Sequence, residues 1–505
     1  RSGCLRIRPV LPEGRVKAVT ARVNITMAED ERFFVNGYQT WTYCPEQGRH
    51  GFTRGMGKLP KFVIDKFGID RYGDYFFVDY PQTPGVMHGE SYCYFRRGGN
   101  YRLIASLDER AGYTLLRYDS RCGVLTISRD CAGVRCGGVF PALELYYAEG
   151  GEDAVFDGWF AAMGVKSRGA KRLCGYSSWY NRYQNIDAES ITGDLAGCAE
   201  HMLRGDLFQI DDGWEPAVGD WLETDAKKFP DGLKGTVRDI HGRGFLAGLW
   251  LAPFVCQKDS KIFREHPDWL LLHDGKPWYC GSNWGGFYAL DIDNAEFVRY
   301  LEQTFSLVLD DWGFDLVKLD FLYAAAPFGD ARESRAGRMT RALELLRRLC
   351  GDKLILGCGV PLMPSFGLVD YCRISCDVGL DWDNSLIMRH TNRERVSTRQ
   401  AIGNSISRRQ LNGRAFGNDP DVFFLRESNI RLSETDKYKL AVVNSLFGTL
   451  FLTSDNMGEY GSEAAALYER LRTLSERAEN IRVDTDNGLT VYYDLEGTEQ
   501  VLEIE

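Results

Sequence analysis

The stretch Leu316-Val317-Lys318-Leu319-Asp320-Phe321 decides the fold, because it is a short apolar segment that carries charged residues toward its end. A similar stretch, Leu207-Phe208-Gln209-Ile210-Asp211-Asp212, occurs earlier in the chain. Short apolar segments separated by helical periodicity are typical of buried strands in a parallel sheet. From about residue 175 to residue 456 the sequence therefore predicts βα units around a parallel sheet.

Eight candidate strands can be counted in this region. Helices between them are indicated by apolar residues at 3.6 spacing, as in Phe297, Leu301 and Phe305, which follow an Asp293-x-x-Glu296 start. Eight strands alternating with helices predict a central (β/α)8 TIM barrel. The predicted strands are residues 175–180, 207–212, 246–253, 316–321, 353–359, 371–377, 416–424 and 450–455.

The residues on either side of this region have a different pattern. Residues 1–165 alternate apolar and polar positions with frequent glycine, which predicts an antiparallel β-sandwich domain. The barrel is assigned to residues 170–475. Residues 476–505 alternate again but are short for an independent domain, which fits a truncated β-rich C-terminal segment. The fold class is therefore α/β, with a β-sandwich ahead of the barrel.

Composition excludes several function classes. The 505 residues are 44% hydrophobic and 26% charged, which excludes intrinsic disorder. The 61 basic and 71 acidic side chains leave a formal charge of −10, so no nucleic acid partner is expected. The longest uncharged apolar stretches, 246–256 and 440–454, fall short of the ~18 residues that a membrane span needs. No membrane partner is predicted.

The cysteines and histidines bear on compartment and metal binding. Fourteen cysteines in 505 residues are too few for a disulfide scaffold and fit core thiols in a reducing cytoplasm. The start Arg1-Ser2-Gly3-Cys4 has no signal-peptide pattern. None of the seven histidines, at 50, 88, 201, 241, 266, 273 and 390, forms the close pairing of zinc sites, so no metal and no cofactor are predicted. Nothing in the sequence indicates the oligomeric state.

Polar side chains gather at the ends of the predicted barrel strands, where catalytic groups of such barrels lie. Because side chains alternate along a strand, Lys318 should lie beside Asp320, and Arg373 beside Asp377. A neighbouring cation favours an ionised Asp320 suited to nucleophilic attack, whereas Asp377 must be able to hold a proton. The alternatives are ordinary ion pairs at the barrel rim, or Schiff-base chemistry at Lys318.

Aspartates interspersed with tryptophans favour a sugar substrate. Carboxylates accept hydrogen bonds from sugar hydroxyls, and indole faces cover the apolar side of a pyranose ring. In glycoside hydrolysis one carboxylate attacks the anomeric carbon and a second carboxyl group protonates the leaving oxygen.

With these residues in view, the chain resembles glycoside hydrolase family 36, in particular its compact bacterial α-galactosidases with a β-sandwich ahead of the barrel. The resemblance covers roughly residues 33 to 456. The matching segments are Asn36-Gly37-Tyr38-Gln39-Thr40-Trp41, Ser178-Trp179-Tyr180, residues 208–212, 219–222, 248–254, 266–269, 288–291, Lys318-Leu319-Asp320-Phe321-Leu322, residues 356–359, Arg373-Ile374 with Asp377, and Asn418-Asp419-Pro420-Asp421.

The resemblance implies a retaining, exo-acting α-galactosidase that removes terminal α-linked galactose from oligosaccharides through a galactosyl-enzyme intermediate. Asp320 would be the nucleophile and Asp377 the general acid and base. In a retaining enzyme the two carboxyl groups should lie ~5–5.5 Å apart.

The resemblance also implies the residues that bind the sugar. Asp211 and Asp212 would bind O4 and O6 of galactose, and Lys318 the side of O3 and O4. Arg373 with Cys358 would lie near O2, and Gly359 would be a further substrate-binding residue. Tryptophans would form the pocket wall: Trp250, Trp179 and, from the N-terminal domain, Trp41.

Two departures from the family pattern leave the substrate open. Val360 follows Gly357-Cys358-Gly359 where related enzymes commonly have serine, and Gly281-Ser282-Asn283-Trp284 lacks an arginine before Asn-Trp. An apolar wall discriminates weakly, so a valine would permit an N-acetyl group. The alternatives are therefore an α-N-acetylgalactosaminidase, a galactosyl transferase (transglycosylase), or a sugar-binding barrel without catalysis.

Overall fold

The computed structural model describes residues 1–56, 59–383, 392–486 and 488–504. The chain begins with strands that pair in antiparallel fashion, followed by a helix that leads to the barrel. In chain order these elements are β1 (Ser2–Ile7), β2 (Val10–Asn24), β3 (Arg32–Phe34), β4 (Glu46–Gln47), α1 (Lys61–Phe67), β5 (Val86–Glu90), β6 (Tyr92–Arg97), β7 (Asn100–Ser106), β8 (Tyr113–Asp119), β9 (Val124–Val139), β10 (Leu143–Gly151) and α2 (Glu152–Met163).

These strands form a β-sandwich. Among the described residues, one sheet has the order β1-β10-β7-β6-β3-β4 and the other the order β2-β9-β8-β5. Apolar side chains of both sheets, such as Phe33, Phe95 and Leu116, are fully buried in one cluster. Alternate residues of strands in both sheets point into this shared cluster, so the predicted sandwich is confirmed.

The next region alternates strands and helices. Its elements are β11 (Leu173–Ser177), α3 (Trp179–Arg182), α4 (Ala188–Cys198), β12 (Leu207–Ile210), α5 (Lys234–Gly242), β13 (Leu246–Leu251), β14 (Val255–Gln257), α6 (Lys261–Glu265), β15 (Leu272–His273), β16 (Lys276–Pro277), β17 (Tyr279–Gly281), β18 (Phe287–Ala289), α7 (Ala295–Ser306), β19 (Leu316–Leu319), α8 (Arg335–Cys350), β20 (Leu354–Gly357), α9 (Leu362–Ser365), β21 (Tyr371–Arg373), α10 (Thr398–Ser407), β22 (Gly417–Asp419), β23 (Val422–Phe423), α11 (Glu434–Phe447) and β24 (Leu450–Thr453).

A parallel sheet in the order β22-β21-β20-β19-β13-β12-β11-β24-β23 closes this region into a barrel. Its two ends, β22 and β23, are pieces of one strand position, because β22 pairs with β21 and β23 pairs with β24. The predicted continuous strand 416–424 is therefore wrong. Pro420 has no N–H to donate, and Asp421 has a φ of 77°, so the ladder breaks between the two pieces. The predicted (β/α)8 barrel is confirmed.

The strand predicted for residues 371–377 is shorter than expected. It ends at Arg373. Its pairing with β20 stops at Gly357 and Cys372, and its pairing with β22 stops at Arg373 and Asp419. No strand among the described residues pairs with residues 374–377, so Asp377 lies in a loop. Likewise β11 ends at Ser177, and Trp179 begins α3.

After the barrel come α12 (Ser462–Arg472), α13 (Leu474–Arg477) and the antiparallel strands β25 (Ala478–Asp484), β26 (Thr490–Leu495) and β27 (Thr498–Glu503). This last sheet contacts the N-terminal sandwich, where Thr485 donates a hydrogen bond of 2.7 Å to Glu46. The three-domain division, with boundaries at residues 165–170 and 475–476, stays a proposal. None of the helices in the described chain is both long and apolar enough to cross a membrane.

The N-terminal domain is fastened to the barrel by Arg408, which is fully buried at the end of α10. Its guanidinium donates to the carbonyl oxygens of Thr40, at 2.6 Å, and Gln39, at 3.1 Å, in the N-terminal domain. It also donates to the carbonyl oxygen of Ile374 in the barrel, at 2.9 Å. A buried cation that satisfies carbonyl groups of both domains holds the 39–41 loop against the barrel.

We expect Arg408→Met to lower the free energy of unfolding by about 3 kcal/mol or more, because it leaves several buried carbonyl groups without donors. Arg299→Met is the matched control: Arg299 is 63% exposed and its ion pair among the described residues is with Glu296, so its loss should cost under about 0.5 kcal/mol. Urea unfolding followed by fluorescence measures both variants. Equal losses would show that Arg408 does not hold the two domains together.

Candidate active site

The candidate site lies at the carboxyl ends of the barrel strands. Asp211 and Asp212 directly follow β12, Trp250 lies in β13, and Asp320 directly follows β19. Cys358 follows β20, and Arg373 ends β21. Parallel strands bring their carboxyl ends to one face of the barrel, so residues far apart in sequence meet there.

Lys318 forms its ion pair with Asp211. Its Nζ lies 2.8 Å from Asp211 Oδ2, and the side chains are 8% and 2% exposed. Burial opposes the charge on Lys318, but Asp211 and, more weakly, Asp320 raise its pKa above the ordinary lysine value. Gln209 donates a further hydrogen bond of 2.6 Å to Asp211 Oδ2. The pair thus offers fixed donor and acceptor groups to a polar ligand.

Asp212 has a different set of partners. Its Oδ2 accepts hydrogen bonds of 2.9 Å from Gln184 and from the indole N–H of Trp284. Its Oδ1 is buried and receives no amide, hydroxyl or indole donor within the described chain. Burial raises the pKa of Asp212, against the effect of contacts with Glu215, Trp284 and Gln184.

Asp320 is held by two N–H donors. The indole of Trp250 donates to Oδ2 at 3.2 Å, and the backbone N–H of Phe321 donates to Oδ1 at 2.8 Å. Phe321 has a φ of 53°, a conformation that a residue with a bulky side chain rarely adopts. The rings of Trp41, Trp284 and Phe287 pack around Phe321 at centroid distances of 5.0–5.3 Å. This packing holds the strained residue that positions the Asp320 carboxylate.

Arg373 binds three carboxylates at once. Nη1 lies 2.9 Å from Asp377 Oδ1, Nε lies 2.9 Å from Asp419 Oδ2, and Nη2 lies 2.9 Å from Asp421 Oδ1. The Asp421 carboxylate also accepts a hydrogen bond of 2.6 Å from the hydroxyl of Tyr180. The planar guanidinium therefore sets the relative positions of three acidic side chains.

Asp377 is 39% exposed, the most open carboxylate of this cluster. Desolvation by the surrounding protein raises its pKa, while Arg373 and Lys318 lower it and Asp320 and Asp211 raise it further. The net effect favours a carboxyl group that retains its proton to a higher pH than an ordinary aspartate. An accessible carboxyl group of this kind can act as a general acid.

Trp41 reaches the barrel from the N-terminal domain. Its indole N–H donates to Cys358 Sγ at 3.3 Å, and the side chain is 9% exposed. Gly359 has a φ of 53°, and a Cβ there would lie 2.8 Å from the Trp41 ring. Only glycine therefore permits this close approach.

The two other predicted tryptophans differ in their surroundings. Trp250 is buried and donates its indole N–H to Asp320. Trp179 is partly exposed and packs edge-to-face on Tyr183 at 5.2 Å. The contacts described for Trp179 join it to neither Asp320 nor Asp377, so its place in the pocket wall stays a prediction.

Two predicted neighbours need correction. Strand alternation placed Lys318 beside Asp320 as its cation; Asp320 does act on the charge of Lys318, but the ion pair of Lys318 is with Asp211, which follows β12, two strand positions from β19. Alternation also placed Asp377 on a strand with Arg373, whereas Asp377 lies beyond the strand end and folds back onto Arg373. Loop geometry, which alternation does not describe, makes the second contact.

Sequence reasoning missed several residues of the site. Asp419 and Asp421 belong to the matching segment 418–421, but no role was assigned to them from the sequence. Glu215 follows Asp212 by three positions, a signal that a turn could bring the two carboxyl groups together. Gln184 has no sequence signal that would have found it.

No metal centre is found where the structure can be described: residues 1–56, 59–383, 392–486 and 488–504 hold no cluster of metal-ligating side chains. His390 lies outside the described residues.

Comparisons with known proteins bear on the identity of the site. A melibiase family model matches residues 170–342. An α-galactosidase of Escherichia coli is 32% identical over 182 residues, which are 34% of this chain and 25% of that protein. The chain thus matches only about a quarter of the length of this curated relative.

Solved structures match over far more of the chain. One match is TtGalA, an α-galactosidase from Thermus thermophilus in complex with p-nitrophenyl α-D-galactopyranoside. The alignment covers 98% of this chain and 98% of that one, with 25% identity and a TM-score of 0.78. A structure of the same protein with stachyose covers 93% of this chain and 99% of that one, with 28% identity and a TM-score of 0.74.

The environment of Asp421 generates a pH prediction. Burial, the largest effect, raises its pKa from 3.8 to about 6 against the opposing charge of Arg373. Between these values the folded chain binds more protons than the unfolded chain, so the contribution of Asp421 to stability falls as pH rises from about 4 to about 6. Asp421→Asn should remove this dependence. As pH rises from about 4 to about 6, the free energy of unfolding of Asp421→Asn should therefore increase, relative to that of wild type, by on the order of 1–3 kcal/mol.

Urea unfolding at several pH values measures this difference. Asp239→Asn serves as the control, since Asp239 is 64% exposed and its curve should stay parallel to wild type. Parallel curves for Asp421→Asn and wild type would contradict the raised pKa.

Proposed function

We propose that this chain, which belongs to the melibiase family, glycoside hydrolase family 36, is a retaining α-galactosidase that removes terminal α-linked galactose from oligosaccharides. The observation that carries the proposal is a pair of carboxyl groups in contrasting surroundings at one end of the barrel. Asp320 is buried and held by two N–H donors, while Asp377 is open and proton-retaining. Two such carboxyl groups are the machinery of glycoside hydrolysis.

In the proposed reaction, Asp320 Oδ attacks the anomeric carbon of galactose while the Asp377 carboxyl group gives its proton to the departing glycosidic oxygen. A galactosyl ester on Asp320 results, and Asp377 is left as a carboxylate. Asp377 then takes a proton from water as the water oxygen attacks the anomeric carbon, which releases galactose and restores both groups. Two inversions give net retention of the α configuration.

The remaining polar groups suit recognition of galactose. The Lys318–Asp211 pair and the Asp212 carboxylate present charged donors and acceptors that hold hydroxyl groups strongly. The indole of Trp250 lies against Asp320 and that of Trp41 against Cys358, and both supply apolar surface for the sugar ring. We assign Arg373 and Cys358 to the side of O2, with Gly359 as a further substrate-binding residue.

The relatives support an α-galactoside as the substrate class. The Thermus protein, which matches this chain over nearly its full length, was solved with an aryl α-galactoside and with the oligosaccharide stachyose. For this chain, oligosaccharides ending in α-galactose remain a proposal.

Val360 does not widen the sugar pocket. Val360 has no exposed surface, and its carbonyl oxygen accepts a hydrogen bond of 3.0 Å from Thr40 N–H. A side chain without exposed surface does not line open space where an N-acetyl group would lie. N-acetylgalactosaminide cleavage and galactosyl transfer to other sugars become outcomes to be measured.

We also propose a cytoplasmic location. All fourteen cysteines are unpaired in the described chain, as expected of a protein that folds in a reducing compartment. The absence of a nucleic acid partner stays a prediction from the net charge.

The test of the function is proton NMR during hydrolysis of an aryl α-galactoside, with the matching α-N-acetylgalactosaminide run in parallel. We expect α-galactose to appear first and to mutarotate later, because the double displacement retains configuration. β-Galactose as the first product would contradict the assigned mechanism. Faster release from the N-acetyl substrate would contradict the galactoside preference. If neither substrate is cleaved, the remaining interpretation is a sugar-binding barrel without catalysis.

The roles of the two carboxyl groups can be separated by leaving group. Asp320→Asn should lower kcat by about 10⁴-fold or more on every substrate, because the nucleophile is needed for each bond broken. Asp377→Asn should slow galactosylation about 10²–10⁴-fold with raffinose-like leaving groups, but much less with nitrophenol, which leaves without a proton. Stopped-flow measurement of the nitrophenol burst distinguishes the two steps. Equal losses on all substrates for Asp377→Asn would contradict its role as the acid.

A further inference from the structure

Glu215 is a buried carboxyl group that lies against Asp212 and has no part in the reaction described above. Gly213 has a φ of 115°, which turns the chain sharply after Asp212 and returns Glu215 toward it. The residue is 5% exposed, against 2% for Asp212. The two carboxyl groups are in side-chain hydrogen-bond contact.

Two carboxylates cannot both stay ionised in such a contact, because like charges in a buried site repel strongly. One proton must lie between them. The other contacts of Asp212 identify which of its oxygens accepts the hydrogen bond made by this proton. Oδ2 already accepts from Gln184 and Trp284, whereas Oδ1 is buried and has no amide, hydroxyl or indole donor among the described residues.

We propose that Glu215 is a protonated positioning residue, which donates a hydrogen bond to Asp212 and so fixes the Asp212 carboxylate for the hydroxyl groups of the substrate. This inference rests on the proposed function and extends it to a residue that does not touch the reacting atoms. With Glu215 as a donor, both oxygens of Asp212 are satisfied and its side chain has one orientation.

The surroundings agree with this placement of the proton. Burial, with the added repulsion of Asp212, raises the pKa of Glu215 well above the usual range. Asp211, which is already paired with Lys318, adds its charge near Asp212, and Lys228 is a cation beside the turn. Lys228 Nζ donates to the carbonyl oxygens of Gln184 at 2.8 Å and Gly213 at 2.9 Å. Its charge is thus directed to the backbone of the turn, and it forms no ion pair with Glu215.

Substitution by glutamine tests the proton directly, because the amide N–H keeps the donor and removes the titration. We expect Glu215→Gln to keep kcat/KM for an aryl α-galactoside within about threefold of wild type at neutral pH. Glu215→Ala should raise KM about tenfold or more, with a smaller change in kcat, because Asp212 loses a donor. In wild type KM should rise as alkaline pH removes the shared proton, and in Glu215→Gln this rise should disappear.

Two results would overturn the inference. One is a Glu215→Gln variant as impaired as Glu215→Ala, which would mean that Glu215 works as an ionised group. The other is an alkaline rise in KM that persists unchanged in Glu215→Gln. Glu109→Gln is the matched control: Glu109 is also buried, with a pKa raised to about 7, but it lies in the N-terminal domain and accepts from Thr114 and Ser91. It should leave the pH dependence of KM as in wild type.

A measurement that does not depend on turnover separates this inference from the proposed function. The infrared absorption of protonated carboxyl groups at neutral pH should lose one band in Glu215→Gln relative to wild type. If no galactoside is cleaved but the band is lost, the proposed function fails and the shared proton stands. If galactosides are cleaved and the band is unchanged, the function stands and the proton assignment fails.

Discussion

The guanidinium of Arg373 is the group on which the arrangement of the site depends. It is buried and bound to Asp377 in a loop, to Asp419 at the end of β22, and to Asp421 at the break between β22 and β23. Burying one cation among three acids is tolerable only when each contact is close and the remaining oxygens have donors. The broken strand and the folded-back loop are the backbone conformations that bring all three acids to one guanidinium.

The same constraint recurs across the barrel mouth. Lys318 neutralises Asp211, while Asp212 has amide and indole donors on one oxygen and the Glu215 carboxyl group beside it. These contacts leave Asp377 as the most open acid of the Arg373 cluster. A site with most of its charges paired and one accessible proton-retaining carboxyl group suits general acid catalysis more than it suits a simple binding pocket.

The N-terminal domain takes part in this arrangement. Arg408 ties the 39–41 loop to the barrel, and Trp41 then reaches Cys358 and packs on Phe321. Phe321 in turn positions Asp320 through its backbone N–H. A change at the domain junction would therefore reach the proposed nucleophile through a short chain of contacts, without altering any residue that touches the sugar.

The sequence by itself determined the barrel, the sandwich and most of the polar residues of the site. Hydrophobic periodicity reports which face of each element is buried, and in a parallel barrel this is enough to place Asp211, Asp320 and Arg373 at one end. It did not determine partners: Lys318 pairs across strands with Asp211, Asp377 folds back from a loop, and Glu215 meets Asp212 around a glycine turn. Only the tertiary structure decided these contacts, because periodicity describes positions along one element, whereas each partner is set by loop conformation and by the spacing between elements.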